Sequence, residues 1–212
     1  MEISNQFFIS IEGNEGVGKT TAVQYVKQFL NNHKKDFIAT REPGGTPVAE
    51  QIRAVLLQEH DEPVAKDTEL LLMFAARAQH VAAVIKPALK QNKWVVSDRF
   101  VDASYAYQGG GREMDLQRIA ELDKWVLQGF KPGLTLLLDA PVDVCLARVK
   151  GRGDLDRFET EKSAFFERVR QVYLDRAKAE SQRFKLINTD CDLGEVKSQI
   201  DAVLDRYLQG LQ

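Results

Sequence analysis

The 212-residue chain is 44% hydrophobic, enough to close one well-sized core, and a single domain spanning residues 1–212 is the expected organisation. Its 29 basic residues face 31 acidic ones for a formal charge of -2, which excludes a global field that would draw it onto nucleic acid or an anionic membrane, so any anion site is local. Cys145 and Cys191 stand alone without CxxC partners, which fits free thiols in a reducing, cytoplasmic setting better than a disulfide framework or a zinc site. The start of the chain has no basic segment followed by a long apolar one, and no later run approaches the roughly 18 apolar residues of a membrane span. A soluble, unprocessed protein is expected.

In chain order, β-rich runs at 7–11, 37–40, 94–97, 134–138 and 184–187 alternate with helical stretches. These helices are expected at about 20–31, 48–58, 68–91, 115–128, 142–150, 161–181 and 195–208. Strands separated by helices predict an α/β fold: a five-stranded parallel sheet with right-handed crossovers, sandwiched between helices in three layers. Ligands of such sheets sit beyond the carboxyl ends of the strands, so the residues just after each strand are the ones that matter.

After the first strand comes Gly13-Asn14-Glu15-Gly16-Val17-Gly18-Lys19-Thr20, which matches G-x-x-x-x-G-K-[ST] and runs directly into an amphipathic helix. The glycines let successive N–H groups turn inward onto phosphate oxygens, and the helix N-terminus adds partial positive charge. In such a P-loop, Lys19 reaches the β and γ phosphates of a nucleoside triphosphate and the Thr20 hydroxyl serves Mg2+. Glu15 is an acid inside an anion cradle, where like charges repel, so it is expected to face away from the triphosphate toward an acceptor hydroxyl. Transition-state charge then has to be met by basic residues from elsewhere in the chain.

The second strand runs into Arg41-Glu42-Pro43-Gly44-Gly45-Thr46, a rigid proline and two permissive glycines at the ligand-facing edge, which an ordinary strand-to-helix turn also explains. The third strand ends in Ser97-Asp98-Arg99. There Asp98 can hold a metal directly or through water and Arg99 suits an acceptor phosphate; a structural salt bridge is the alternative.

These segments, with the run Ser104-Tyr105-Ala106-Tyr107-Gln108-Gly109-Gly110-Gly111-Arg112 and the phosphate loop, occur in an order that resembles the thymidylate kinase family, and the likeness runs from the first strand to the arginines near residue 157. The resemblance implies a P-loop kinase that transfers the γ-phosphoryl group of ATP to dTMP, giving dTDP and ADP for dTTP synthesis. It further implies that Phe74 stacks on thymine and that Arg77 hydrogen-bonds a base carbonyl; periodicity alone places Phe74 in the core. Arg99 would bind the dTMP phosphate, Ser104 and Gln108 approach the base, Tyr107 crowd the ribose 2′ position, and Glu42, Pro43 and Glu15 border the acceptor, Glu15 at the sugar 3′-hydroxyl. Phe100 stands where other members carry Tyr or His, and Ser104 where they carry Asn.

Beyond the fourth strand, Arg148-Val149-Lys150-Gly151-Arg152-Gly153-Asp154-Leu155-Asp156-Arg157-Phe158 joins hinge glycines to arginines, the composition of a lid that closes over a nucleotide and excludes water. In the bacterial type of the family the lid supplies the arginine that the phosphate loop lacks. Arg152, set between two glycines, is the first choice for the catalytic arginine, with Arg148 and Arg157 as alternatives on the ATP side; an exposed basic loop is the rival explanation. Residues 188–192, after the last strand, match in place the loop that borders adenine in related kinases. The family implies a homodimer packed through helices. Two other functions compete: a kinase for another nucleoside monophosphate or a deoxynucleoside, and a GTP-binding switch, against which stands the lack of an Asn-Lys-x-Asp guanine-reading motif.

Overall fold

The computed structural model describes residues 4–150, 157–158 and 161–211. Five strands, β1 (Phe8–Glu12), β2 (Phe37–Arg41), β3 (Trp94–Asp98), β4 (Leu134–Asp139) and β5 (Phe184–Asn188), pair in parallel in the order β2-β3-β1-β4-β5. The expected strands are all present, each one residue longer at its carboxyl end. β1 lies at the centre, with Ile9 opposite Val96 on β3 and Leu134 on β4. It is buried along its whole length, including Ser10 and Glu12, and the Ser10 hydroxyl is satisfied by Thr135 Oγ1 on β4 at 2.9 Å. The chain winds first to one side of β1 and later to the other, so the loops after β1, β2 and β3 converge at one end of the sheet.

Helices cover both faces. α1 (Lys19–Asn32) and α9 (Leu193–Gln209) pack on one, closing a core of Ile9, Ile11, Val26, Leu30, Leu136 and Ile200. The other face carries α3 (Lys66–His80), α4 (Lys86–Lys90), α5 (Val101–Ser104), α6 (Leu116–Leu127) and α8 (Ser163–Ala179). α2 (Pro47–Leu57) lies against α3, and α7 (Val142–Lys150) against α8. Local chemistry marks the starts. Thr46 caps α2 by accepting from the Ala49 N–H at 3.1 Å with Pro47 just inside, and Asp115 and Asp192 cap α6 and α9 in the same way.

Two helical regions depart from the sequence expectation. The single helix expected at 68–91 is continuous from residue 66 to 90 but widens into a π segment at Val81–Ile85, directly before Pro87, whose missing N–H and ring cannot fit a regular ladder. By length and composition this helix is apolar enough to cross a membrane, although it buries Glu69, Arg77 and His80 inside the protein. The segment after β3, to which periodicity assigns no element, folds as α5 and continues as a π segment over Tyr105–Gly111. Its three successive glycines mask the helix in sequence. They are required by packing: a Cβ on Gly110 would lie 2.7 Å from the Arg168 carbonyl oxygen of α8.

Candidate functional site

The loop between β1 and α1 makes its turns with positive φ at Gly13 (138°), Gly16 (74°) and Gly18 (101°). Gly16 has no room for a Cβ, which would run into the Cys145 carbonyl of α7, and a Cβ on Gly13 would lie 2.5 Å from the Leu138 carbonyl oxygen. Lys19 folds back across the loop, donating to the carbonyls of Asn14 at 2.7 Å and Gly13 at 3.3 Å. Burial lowers its pKa and neighbouring Arg99 lowers it further, while Glu15, Asp98 and Glu12 pull the other way. Glu15, Gly16, Gly18, Lys19, Thr20, Arg41, Glu42, Arg53, Asp98 and Arg99 enclose a cleft of about 650 Å³ lined mainly by polar and charged groups. Thr20 is exposed in it, and Asp98 Oδ1 is buried with no hydrogen-bond partner.

A second cleft, of about 530 Å³, adjoins the first and shares Glu15, Glu42, Arg53 and Arg99 with it. Its other walls are Pro43, Leu57, Met73, Arg77, Phe100, Ala103, Ser104, Tyr107, Gln108 and Phe158. One end is therefore cationic and the other flat and apolar, with few polar groups. Arg99 stands at the junction. It adopts a positive φ of 70°, a sparsely populated conformation for a side-chain-bearing residue, and is pinned on all sides. It donates to the Gly13 carbonyl at 3.0 Å, to Tyr107 Oη at 2.8 Å and to Tyr173 Oη at 3.3 Å, and pairs with Glu15.

Buried acidic side chains support this arrangement from behind. Glu12, fully buried at the end of β1, accepts from the Phe100 N–H at 2.6 Å and from Tyr173 Oη at 2.9 Å. Burial, with nearby Asp102 adding to it, pushes its carboxyl up to about 8. Glu42 accepts from Arg77 Nε at 2.7 Å and meets His80 Nδ1 at 2.9 Å, while Arg77 also donates to Ser104 Oγ at 3.0 Å and to the Phe100 carbonyl at 3.2 Å. Arg77 thus reaches the cleft wall with its plane fixed.

The expected site residues divide as follows. The phosphate loop, Glu15, Glu42, Pro43, Arg77, Arg99, Ser104, Tyr107 and Gln108 gather around the two clefts, and Thr20 and Asp98 line the phosphate side. Asn14 is buried with its amide donating to the Phe166 carbonyl, and Val17 packs in the core, so both shape the loop from beneath. Phe74 is a correction. It is 2% exposed in the core beneath Arg77, and the wall residue on α3 is Met73. Residues 73 and 74 lie three or four positions before Arg77, so both spacings satisfy a one-face argument and spacing alone cannot separate them. Glu15, expected to face away from a triphosphate toward an acceptor hydroxyl, pairs with Arg99, borders both clefts and lies 3.7 Å from Lys19. Arg148 donates to the Thr189 carbonyl in the loop after β5. Arg157 reaches α2 and α3, donating to the Leu56 carbonyl at 3.0 Å and to Glu69 at 2.7 Å. Arg152 lies outside the described residues.

Sequence reasoning missed Met73, Arg53, Glu12, Glu69 and Tyr173. Arg53 alone left a local signal: it is a cation one turn and a half into the helix that follows the Pro-Gly-Gly turn, and it donates to the Pro43 carbonyl at 2.9 Å.

A family model described as thymidylate kinase matches residues 11–200. The chain belongs to the thymidylate kinase family. It is 54% identical over 197 residues to a thymidylate kinase of Pseudomonas putida strain GB-1, covering 93% of this chain and 94% of that protein. It is 52% identical over 202 residues to a thymidylate kinase of Ectopseudomonas mendocina strain ymp, covering 95% and 96%. The matched region takes in the end of β1, the other four strands and the residues lining both clefts.

Proposed function

We propose that the chain transfers the γ-phosphoryl group of ATP to dTMP, with ATP in the phosphate cleft and dTMP in the adjoining one. The observation that carries this is the junction. Two clefts of different character, one polar and one with an apolar wall, share Arg99, Arg53 and Glu15, so an acceptor phosphate between the two arginines lies next to the end of a triphosphate seated on the loop. A dTMP phosphate oxygen attacks the γ-phosphorus in line, the bond from that phosphorus to the β–γ bridging oxygen breaks, and ADP leaves with the electron pair. No side-chain nucleophile is needed. Arg99 and Arg53 position the acceptor, Glu15 approaches the sugar 3′-hydroxyl, and Tyr107 occupies the space a ribose 2′-hydroxyl would need. Met73, Ser104, Gln108 and Arg77 frame the base.

Thr20 and the unpartnered Asp98 Oδ1 are suited to hold Mg2+ directly or through water. Among the described residues no three acidic, His or Cys side chains cluster as an all-protein cage, which fits a metal that arrives with the phosphates. When bound, Mg2+ offsets charge on the β and γ oxygens. Arg152 is the proposed lid arginine at the γ-phosphate, supported by the engagement of Arg148 and Arg157 elsewhere. Two copies pair through α3 and α6, where Leu71 (54% exposed) and Trp125 (74%) leave an apolar patch uncovered. The free thiols of Cys145 and Cys191 suit the cytoplasm.

The test is steady-state ADP release with Mg-ATP and dTMP, dUMP, dGMP, AMP or thymidine as acceptor. A preference for dTMP supports the assignment, and equal rates with dGMP or AMP would sink it.

A further inference from the structure

Gln108 is 1% exposed, lies on the π segment after α5 and lines the acceptor cleft. Its amide has two faces of opposite chemistry, an NH2 that donates and an oxygen that accepts, and a half-turn about its last bond exchanges them. Glu69 of α3, also 1% exposed, settles which face meets the cleft. Its carboxylate accepts from Gln108 Nε2 at 2.9 Å, from Arg112 Nε at 3.3 Å to each oxygen, and from Arg157 at 2.7 Å. A carboxylate held by two guanidiniums has no proton to donate, so the Gln108 NH2 has to face it and Oε1 turns the other way. Among the described residues no donor reaches Gln108 Oε1. Nor is that oxygen sealed: among the described residues the buried side-chain atoms left without partners are Asn14 Oδ1 and Asp98 Oδ1. The Gln108 backbone is pinned as well, its carbonyl accepting from the Met114 N–H at 3.1 Å.

We propose that Glu69 is a specificity-determining positioning residue that acts through Gln108, committing its amide to present an acceptor to the base. The inference rests on the dTMP reading of the cleft. Across the same wall Arg77 can only donate, with its plane held by Glu42 and Ser104. The cleft therefore offers a fixed acceptor and a fixed donor, which match a base edge carrying an N–H beside a carbonyl. The amino-substituted edge of cytosine, a ring nitrogen acceptor beside an NH2 donor, has the inverse pattern. Without the carboxylate the amide is free to turn and satisfy either edge. A site built to pair a polar edge rejects the mismatched edge because buried groups are left unpaired. Glu69 never touches substrate; it removes the choice.

The experiment is a double-mutant cycle in the full chain with Glu69→Gln and Gln108→Leu, read as KM for dTMP, KM for ATP, kcat, and the ratio of kcat/KM for dTMP over dCMP. A glutamine at 69 can accept or donate, so the lock is lost with little change in volume. Glu69→Gln is expected to raise KM for dTMP about tenfold, the loss of one well-made hydrogen bond, and to lower the dTMP over dCMP ratio, while KM for ATP and kcat stay within about twofold. In the Gln108→Leu background Glu69→Gln is expected to add nothing further. A full Glu69→Gln effect in that background, or an equal rise in KM for ATP, overturns the proposal. Should Glu69→Gln fail to fold, the Gln108 side-chain amide in the unsubstituted protein decides by NMR. Slowly exchanging NH2 protons that dTMP leaves nearly unmoved support the lock, and fast exchange with solvent rules it out. If the unsubstituted protein does not prefer dTMP at all, the functional reading itself falls; a preference for dTMP with additive mutants removes only the role of Glu69.

Discussion

Glu12 shows what a single side chain does when a strand end is buried. Its carboxylate is 0% exposed, and its two hydrogen bonds hold the Phe100 backbone and Tyr173, which in turn support Arg99. Burial first, and Asp102 second, raise its pKa from 4.5 to about 8. Between these values the native state keeps a proton that the unfolded state has released, so raising the pH favours unfolding. The contribution of Glu12 to stability is thus fully present below about 4.5 and is lost as the pH rises through about 8. Glu12→Gln, which cannot ionise, is expected to flatten this dependence. Urea unfolding of both proteins from pH 5 to pH 8 checks it: the unsubstituted protein should lose stability relative to the variant across the window, and parallel curves would contradict the shift. None of this is visible in the sequence, where Glu12 is merely the residue before a glycine. Its partners lie at positions 100, 102 and 173, and only the fold brings them together. The same holds for Glu69 and for the pairing of Glu42 with His80. Residues whose chemistry is local, such as the glycines of the phosphate loop and Lys19, were legible because their backbone geometry and their function share one short segment.

Among the elements, the strands followed from β-rich runs and most helices from the helical stretches between them, and their ends shifted by a residue or two. The helical segment 101–111 did not, because Gly109, Gly110 and Gly111 argue against a helix by propensity, while close contact with α6 at Gly109 and with α8 at Gly110 and Gly111 requires them. Arg168 reinforces the contact by donating to the carbonyls of Gly110 and Gly111. Gly110→Ala places a methyl group against a backbone oxygen that cannot swing away. It is expected to destabilise the protein by about 1–3 kcal/mol, the usual cost of overpacking, as read from denaturant unfolding. An unchanged midpoint would show that α8 yields easily. In its proposed role, Arg152 acts on the transition state, so Arg152→Ala is expected to lower kcat more than it raises KM for dTMP. An effect confined to dTMP binding would move Arg152 to the acceptor side.

At the scale of the whole molecule, the parallel sheet order β2-β3-β1-β4-β5 collects the loops after β1, β2 and β3 at one end, and from this the two adjoining clefts follow. The fold class was legible because alternating strands and helices leave few topologies open. Which face of α3 meets the cleft was not, since the choice between Met73 and Phe74 depends on how the helix rolls on the sheet. The exposed Trp125 and Leu71 are expected to be buried between two copies. Trp125→Glu should halve the mass measured by sedimentation at micromolar concentration, an outcome tied to the energetic weight of a large aromatic at the centre of an interface. A dimer that survives the change would place the contact elsewhere.

The two clefts are proposed to hold a phosphoryl donor and a dTMP acceptor in contact through Arg99. Incubating the protein with Mg2+, dTMP and ATP labelled in the γ-phosphate, and resolving the labelled products by chromatography, tests this directly. The label is expected to appear in dTDP in step with ADP release; label released as inorganic phosphate, with none in dTDP, would contradict it.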